Sequence, residues 1–180
     1  MSHHHVHHEE APEGASVTEP LRAEHRELLP HIDALAEAGD AIGVVSPAEQ
    51  REKVDAAYTF LTEHLIPHAT AEDRVLYEEV DRLIGKRGDT GATDTMRRDH
   101  AEVGRLTGEL GRLREKLDEG ELDAAQEREL RHVLYGLHIV VRLHFAKEED
   151  VYLPLLDREI TSEEAQRLFA SMGEVASGSH

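Results

Sequence analysis

Apolar residues recur at helical spacing in four stretches of this 180-residue chain, and in each stretch a histidine, or a histidine with a glutamate, interrupts the stripe. The first stretch reads Leu21, His25, Leu28, Ile32 and the third Met96, His100, Val103, Leu110. The second reads Leu61, Leu65, His68, Glu72, Val75, and the fourth Leu137, Val141, His144, Glu148, Val151. Residues three and four apart share one face of a helix, so the pattern predicts six polar groups pointing into a helical core. A carboxylate buried alone costs several kcal/mol or takes up a proton. No Lys or Arg stands on these stripes to compensate Glu72 and Glu148.

The spacing of the six residues is itself periodic. His25 to His68 is 43 residues and His100 to His144 is 44; His25 to His100 is 75, and both His68 to His144 and Glu72 to Glu148 are 76. The chain therefore carries a two-fold internal repeat. Its text survives as Leu-Arg-Ala-Glu-His25 beside Met-Arg-Arg-Asp-His100, and as His68-Ala-Thr-Ala-Glu72-Asp beside His144-Phe-Ala-Lys-Glu148-Glu, each half later reaching Asp-Arg at Asp81 and Asp157. At about 1.5 Å of rise per residue, up one helix and down the next, the six side chains reach one level of a bundle.

Punctuation places the helices. Thr18 is read as the N-cap of a first helix to about residue 41, and Gly39 and Gly43 mark its end. Ser46-Pro47 opens a second helix to about residue 84, which the cluster from Gly85 to Gly91 stops. Pro67 lies inside that helix, where it removes one hydrogen bond, leaves the Glu63 carbonyl in need of a partner and predicts a bend. A third helix is expected over 93–117, ended by Gly120, and a fourth over 123–157. A short fifth is expected over 162–172, followed by a disordered Ser-Gly tail. The short connections predict antiparallel neighbours. The expected fold is all-α, an up-down-up-down four-helix bundle over 18–160 with a short C-terminal fifth helix in 161–180. Residues 1–17 are expected to be a disordered polar leader, whose His3, His4, His5, His7 and His8 are read as a purification tag with one substitution or a natural His-rich tail.

Composition bounds the chemistry. Aromatic residues make up only 4%, against recurrent Ala, Leu, Glu and Arg, which favours helix over sheet. A formal net charge of -18 repels phosphate backbones and anionic lipids, so neither nucleic acid nor membrane is an expected partner. There is no cysteine, which excludes disulfides, iron–sulfur clusters and thiolate zinc sites; any metal must be held by nitrogen and oxygen. With no long apolar run and no signal-peptide pattern at the N-terminus, the expected location is the cytoplasm.

A metal ion supplies the positive charge that the stripes lack. His68 with Glu72 and His144 with Glu148 sit one helical turn apart, and His25 and His100 complete a quasi-two-fold set suited to two metals bridged by the glutamates. Imidazole and carboxylate without sulfur suit iron, while tolerating manganese and zinc.

The ordered pattern His, HxxxE, His, HxxxE on four helices resembles the hemerythrin-like family, the HHE cation-binding domains, over roughly residues 21–156. The resemblance implies two iron ions, oxo- or hydroxo-bridged, held by His25, His68, Glu72, His100, His144 and Glu148, with an open position for dioxygen, peroxide or nitric oxide. The family's oxygen carriers have five histidines, one Glu and one Asp. Here Gly104 stands where a carrier places another histidine, and Glu148 comes four rather than five residues after His144. The symmetric form resembles members associated with iron or oxygen sensing, peroxide removal and stress responses.

Other residues weigh less. His64 is read as a helical surface histidine or a donor that orients the site, and His31, His132 and His138 as structural or surface residues. Tyr58 is too far along its helix to ligate, whereas Tyr77 and Tyr152 are within reach of the site. Glu149 is the fallback ligand should Glu148 not serve, and Asp150 extends a solvated acidic run. The readings in competition are a di-iron protein that binds or turns over a small oxidant, decomposing peroxide as an enzyme, and a sensing module whose metal occupancy reports to an unknown protein partner. A histidine phosphotransfer bundle needs one exposed histidine and no HxxxE pairs, and a structural zinc bundle is the plainest alternative.

Overall fold

The computed structural model describes residues 16–85 and 91–178. The leader histidines, most of the 85–91 turn and the last two residues lie outside the described residues. Within them the chain is helical throughout, with no strand. Helix α1 is Glu19–Ala41. Helix α2, the rod 47–85, joins Pro47–Phe60, Ile66–Ala71 and Tyr77–Gly85 through two π turns, Leu61–Leu65 and Glu72–Leu76. Helix α3 is Asp94–Glu119. Helix α4, the rod 124–159, joins Ala124–Lys147 and Leu153–Glu159 through a π turn at Glu148–Tyr152, and α5 is Ser162–Gly178.

Local chemistry explains most of these boundaries. The Ser46 hydroxyl accepts the Glu49 N–H at 3.2 Å with Pro47 in the first turn. Asp123 and Gln126 form a reciprocal capping box at 2.8 and 3.0 Å. Gly43 turns the chain between α1 and α2 at φ 80°, in the left-handed region that glycine enters without penalty. Thr18 stands at the N-cap of α1, as expected, but its side chain makes no capping bond. Its amide and hydroxyl both donate to Asp157 of α4, at 3.0 and 2.9 Å. Val17 also packs on the bundle, so the folded part begins before the expected residue 18.

Each of α1 and α3 neighbours both α2 and α4. Partners run in opposite order along adjacent helices: Thr18, Asp33 and Asp40 of α1 meet Asp157, His138 and Tyr135 of α4. Asp55, Asp73 and Asp81 of α2 likewise meet Arg114, His100 and Thr93 of α3.

The π turns correct the predicted stripes. The carbonyls of Glu72 and Glu148 accept the N–H groups of Tyr77 and Leu153, five residues on, so each turn takes in one extra residue. The inward face slips by one position beyond it. Leu76 and Tyr152 are buried where Val75 and Val151 were expected, and Val151 is 55% exposed. A π turn stands just before Pro67, and its last bond runs from the Ile66 N–H to the Leu61 carbonyl.

The fifth helix expected to stop at Met172 continues to Gly178. It does so because Phe169, Met172, Val175 and Ala176 have an apolar surface to cover, on the middle of α2. The core is divided. One apolar cluster holds Ile32, Leu65, Val103 and Val141, the other Leu21, Leu76, Met96 and Tyr152. On all four bundle helices the His and Glu positions fall between the two clusters.

Candidate metal centre

All six predicted residues meet in that dividing layer. Glu72 and Glu148 are fully buried, and His25, His68 and His144 are buried to within a few per cent. The His100 side chain is 9% exposed. Nε2 of His100 lies 3.1 Å from Oε1 of Glu72, and Nε2 of His68 lies 3.5 Å from Oε2 of the same carboxylate. Oε1 of Glu148 lies 3.1 Å from Nε2 of His144 and 3.7 Å from Nε2 of His25. Each glutamate thus spans from one histidine pair, His25 with His68, to the other, His100 with His144. Two groups have donor atoms close enough to share one ion: His25, His68 and Glu72, and Glu72, His100 and His144.

The histidines are aimed by four acids, three of which the sequence alone did not single out. Each Nδ1 faces a carboxylate: Glu149 at 2.7 Å from His25, Glu24 at 2.8 Å from His68, Asp73 at 2.8 Å from His100, and Asp99 at 3.0 Å from His144. An ionised carboxylate only accepts, so Nδ1 carries the proton and the Nε2 lone pair is turned inward. Glu149, the fallback ligand, serves this purpose for His25. The arrangement obeys the repeat. Glu24 and Asp99 precede the first histidine of each half and hold the second, while Asp73 and Glu149 follow each core glutamate and hold the first histidine of the opposite half. The signal was present in the text, as an acid at equivalent places in both halves. Behind them Arg22 reaches Glu149 at 2.5 Å, and Arg97 donates to the Asp73 carbonyl at 2.7 Å.

The two halves differ at their aromatic neighbours. Phe145 stacks on His25 with ring centroids 4.1 Å apart. The Tyr77 hydroxyl, fully buried, lies 2.9 Å from Nε2 of His144, whereas Tyr152 turns away and donates to the Ala92 carbonyl. The remaining histidines stand apart. His31 and His64 are exposed and stack on Phe60, His132 is exposed, and His138 bonds Asp33. Tyr58 packs under Arg114, far from the layer.

The electrostatics of the metal-free layer are strained. Burial pushes Glu148 up to about 8, helped by the charge of Glu72. Burial also raises Glu72, but the charge of His68 and the close approach of the other imidazoles hold it well below the usual carboxylate range. One proton is therefore shared between two like-charged carboxylates. Burial lowers His144, yet the closeness and charge of Glu148 and Glu72 outweigh it and bring it to about 10. His25, where burial dominates, is lowered. Burial, then the charges of Glu72 and Glu148, keep Tyr77 a neutral phenol.

Among the described residues, six buried side-chain atoms have no hydrogen-bond partner: Nε2 of His25 and of His68, and both oxygens of Glu72 and of Glu148. They approach one another without hydrogen-bond geometry. Leaving each unmet costs about 1–3 kcal/mol, and together that rivals the net stability of about 5–15 kcal/mol that a domain has. These atoms are nitrogen lone pairs and carboxylate oxygens, the donors a divalent transition metal takes. A cation fits the layer.

The family model of the Hemerythrin HHE cation binding domain matches residues 16–156. The chain belongs to that family. Neither a curated protein nor a solved structure matches it. The match to the HHE family spans the first four helices and ends before α5, and it is a cation-binding domain whose name agrees with the donor groups assembled here. No helix among the described residues is long and apolar enough to cross a membrane.

Proposed function

We propose that the chain is a non-haem di-iron protein that binds or turns over a small oxidant, dioxygen, peroxide or nitric oxide, in an up-down-up-down bundle over 18–160. His25 and His68 would hold one iron and His100 and His144 the other, with Glu72 and Glu148 supplying the carboxylates within reach of both. The observation that carries this reading is the set of six orphaned buried donor atoms, which two divalent ions would satisfy. When bound, iron supplies redox and Lewis-acid chemistry at the centre of the layer.

The protein's own residues do the rest. The four Nδ1 carboxylates hold the imidazoles in the ligating tautomer, and the Tyr77 hydroxyl places a neutral donor beside His144. An apolar void lined by Leu65, Val103, Val141 and Phe145 adjoins His68, Glu72, His100 and His144, with a volume of about 10 Å³. Such a space is at the lower limit for one water, so nothing large reaches the layer from this side without movement of its walls.

A sensing module is favoured by the same orphaned atoms, because their cost in the metal-free protein links bundle stability to iron. Iron free at a hundred times its Kd would add about 2.7 kcal/mol. Elemental analysis of protein from iron-supplied cells, with absorption spectra before and after peroxide, separates the readings. Two irons per chain with oxygen release indicates the enzyme, and two irons with a raised melting temperature and no turnover indicates the sensor. His68→Ala and Glu72→Ala are expected to lose metal; full metal content in both variants would refute the assigned ligands.

A further inference from the structure

Helix α5 lies beyond residue 156, where the family match ends, and it covers the part of α2 that carries His68 and Glu72. The cover is incomplete. Ala165 and Met172 are buried against the bundle, but a groove of about 220 Å³ remains between α5 and the bundle, with Phe169, Met172 and Gly173 on one wall and Glu24 and His68 on the other. The groove therefore ends on a residue of the metal layer. It has room for several waters, where the void inside the layer takes about one.

Glu24 joins the groove to the centre. Its side chain is 48% exposed, and its Oε1 holds Nδ1 of His68, whose Nε2 is one of the orphaned donors. Further in lie Glu72 and Glu148, and the groups that reach them are histidines. A cation arriving with part of its water shell meets an exposed carboxylate first, and then more buried carboxylates with greater need of charge.

We infer that the groove beneath α5 is the route by which divalent metal ions reach and leave the centre, with Glu24 as the first carboxylate an incoming ion meets. The inference rests on the metal-centre reading above. Its consequence is that α5, by how closely Met172 and Phe169 seat on the bundle, sets the rate of metal exchange without setting the metal content at equilibrium.

Two substitutions in α5 test this away from the ligands. Gly173 lines the groove and a Cβ there meets no atom within 4 Å, so Gly173→Leu adds bulk to that wall without displacing a neighbour, and helix favours Leu over Gly. Met172→Ala widens the same passage. Metal-free full-length protein is mixed with ferrous ion under anaerobic conditions, and loaded protein with a ferrous chelator. In Gly173→Leu both uptake and release should slow about tenfold, and in Met172→Ala both should quicken about threefold, with iron content at equilibrium equal to wild type. Equal rates in all three proteins at equal final iron content overturn the route and leave the metal centre standing. A wild-type protein that takes up no iron overturns both. Should Gly173→Leu fail to fold, Ala176→Leu, on the same wall, is the second plug and decides by the same criterion.

Discussion

Glu149 shows how a single position joins two halves of the molecule. It follows Glu148 on α4, yet it holds Nδ1 of His25 on α1 at 2.7 Å and takes Arg22 at 2.5 Å on its other oxygen. A carboxylate behind a ligating imidazole fixes the tautomer and raises the basicity of the inward nitrogen. Glu149→Gln keeps the shape and removes the charge, so iron affinity should fall about 10- to 100-fold, read by competition with a metal indicator. An unchanged Kd would mean that Glu149 merely packs. Asp99→Asn should act likewise through His144, whose Nδ1 it holds at 3.0 Å.

Among the elements, glycines on two helices make opposite predictions. Gly104, where the oxygen carriers of the family place a histidine, lies exposed in the middle of α3, and a Cβ there meets no atom within 4 Å. Gly104→Ala should therefore raise stability by about 0.5–1 kcal/mol, because alanine loses less backbone freedom in a helix. Gly39 of α1 is different: a Cβ would fall 2.8 Å from the Tyr135 ring of α4, a side chain whose hydroxyl is anchored on Asp40. Gly39→Ala should destabilise by about 1–3 kcal/mol by forcing α1 and α4 apart. Urea unfolding of both variants checks the pair, and a gain at Gly39 would show that Tyr135 yields freely.

For the whole molecule, the buried layer makes stability depend on pH, and metal reverses the sense. In the metal-free protein Glu148 rises from 4.5 to about 8 on folding. Between those values the folded state holds a proton that the unfolded chain has released, so stability falls as pH rises through the window. His144, moved from 6.5 to about 10, extends the same trend upward. The urea midpoint of metal-free protein should thus be lower at about pH 9 than at about pH 6. Metal-loaded protein needs its ligands deprotonated, so iron affinity should rise with pH over the same range. A metal-free midpoint that climbs with pH would contradict the shared proton between Glu72 and Glu148.

The repeat, the periodicity and the chemistry of residue types were enough to place His25, His68, Glu72, His100, His144 and Glu148 in one layer, because helical rise and short connections leave little freedom in height. The helical class followed from the same stripes, and the start of α2 from the cap at Ser46 and the proline after it. What the stripes could not show is the extra residue that each π turn takes in. Nothing in the order of side chains marks Glu72 or Glu148 as the start of a wider turn, so Val75 and Val151 read as core until packing put Leu76 and Tyr152 there instead. The supporting acids were visible as letters but not as partners, since Glu24 with His68 and Asp73 with His100 are contacts between helices. The length of α5 was likewise decided by tertiary contact. Its Ser-Gly end has little helical tendency of its own, and it holds because the apolar face of α5 meets that of α2, an energy that exists only once the two surfaces are together.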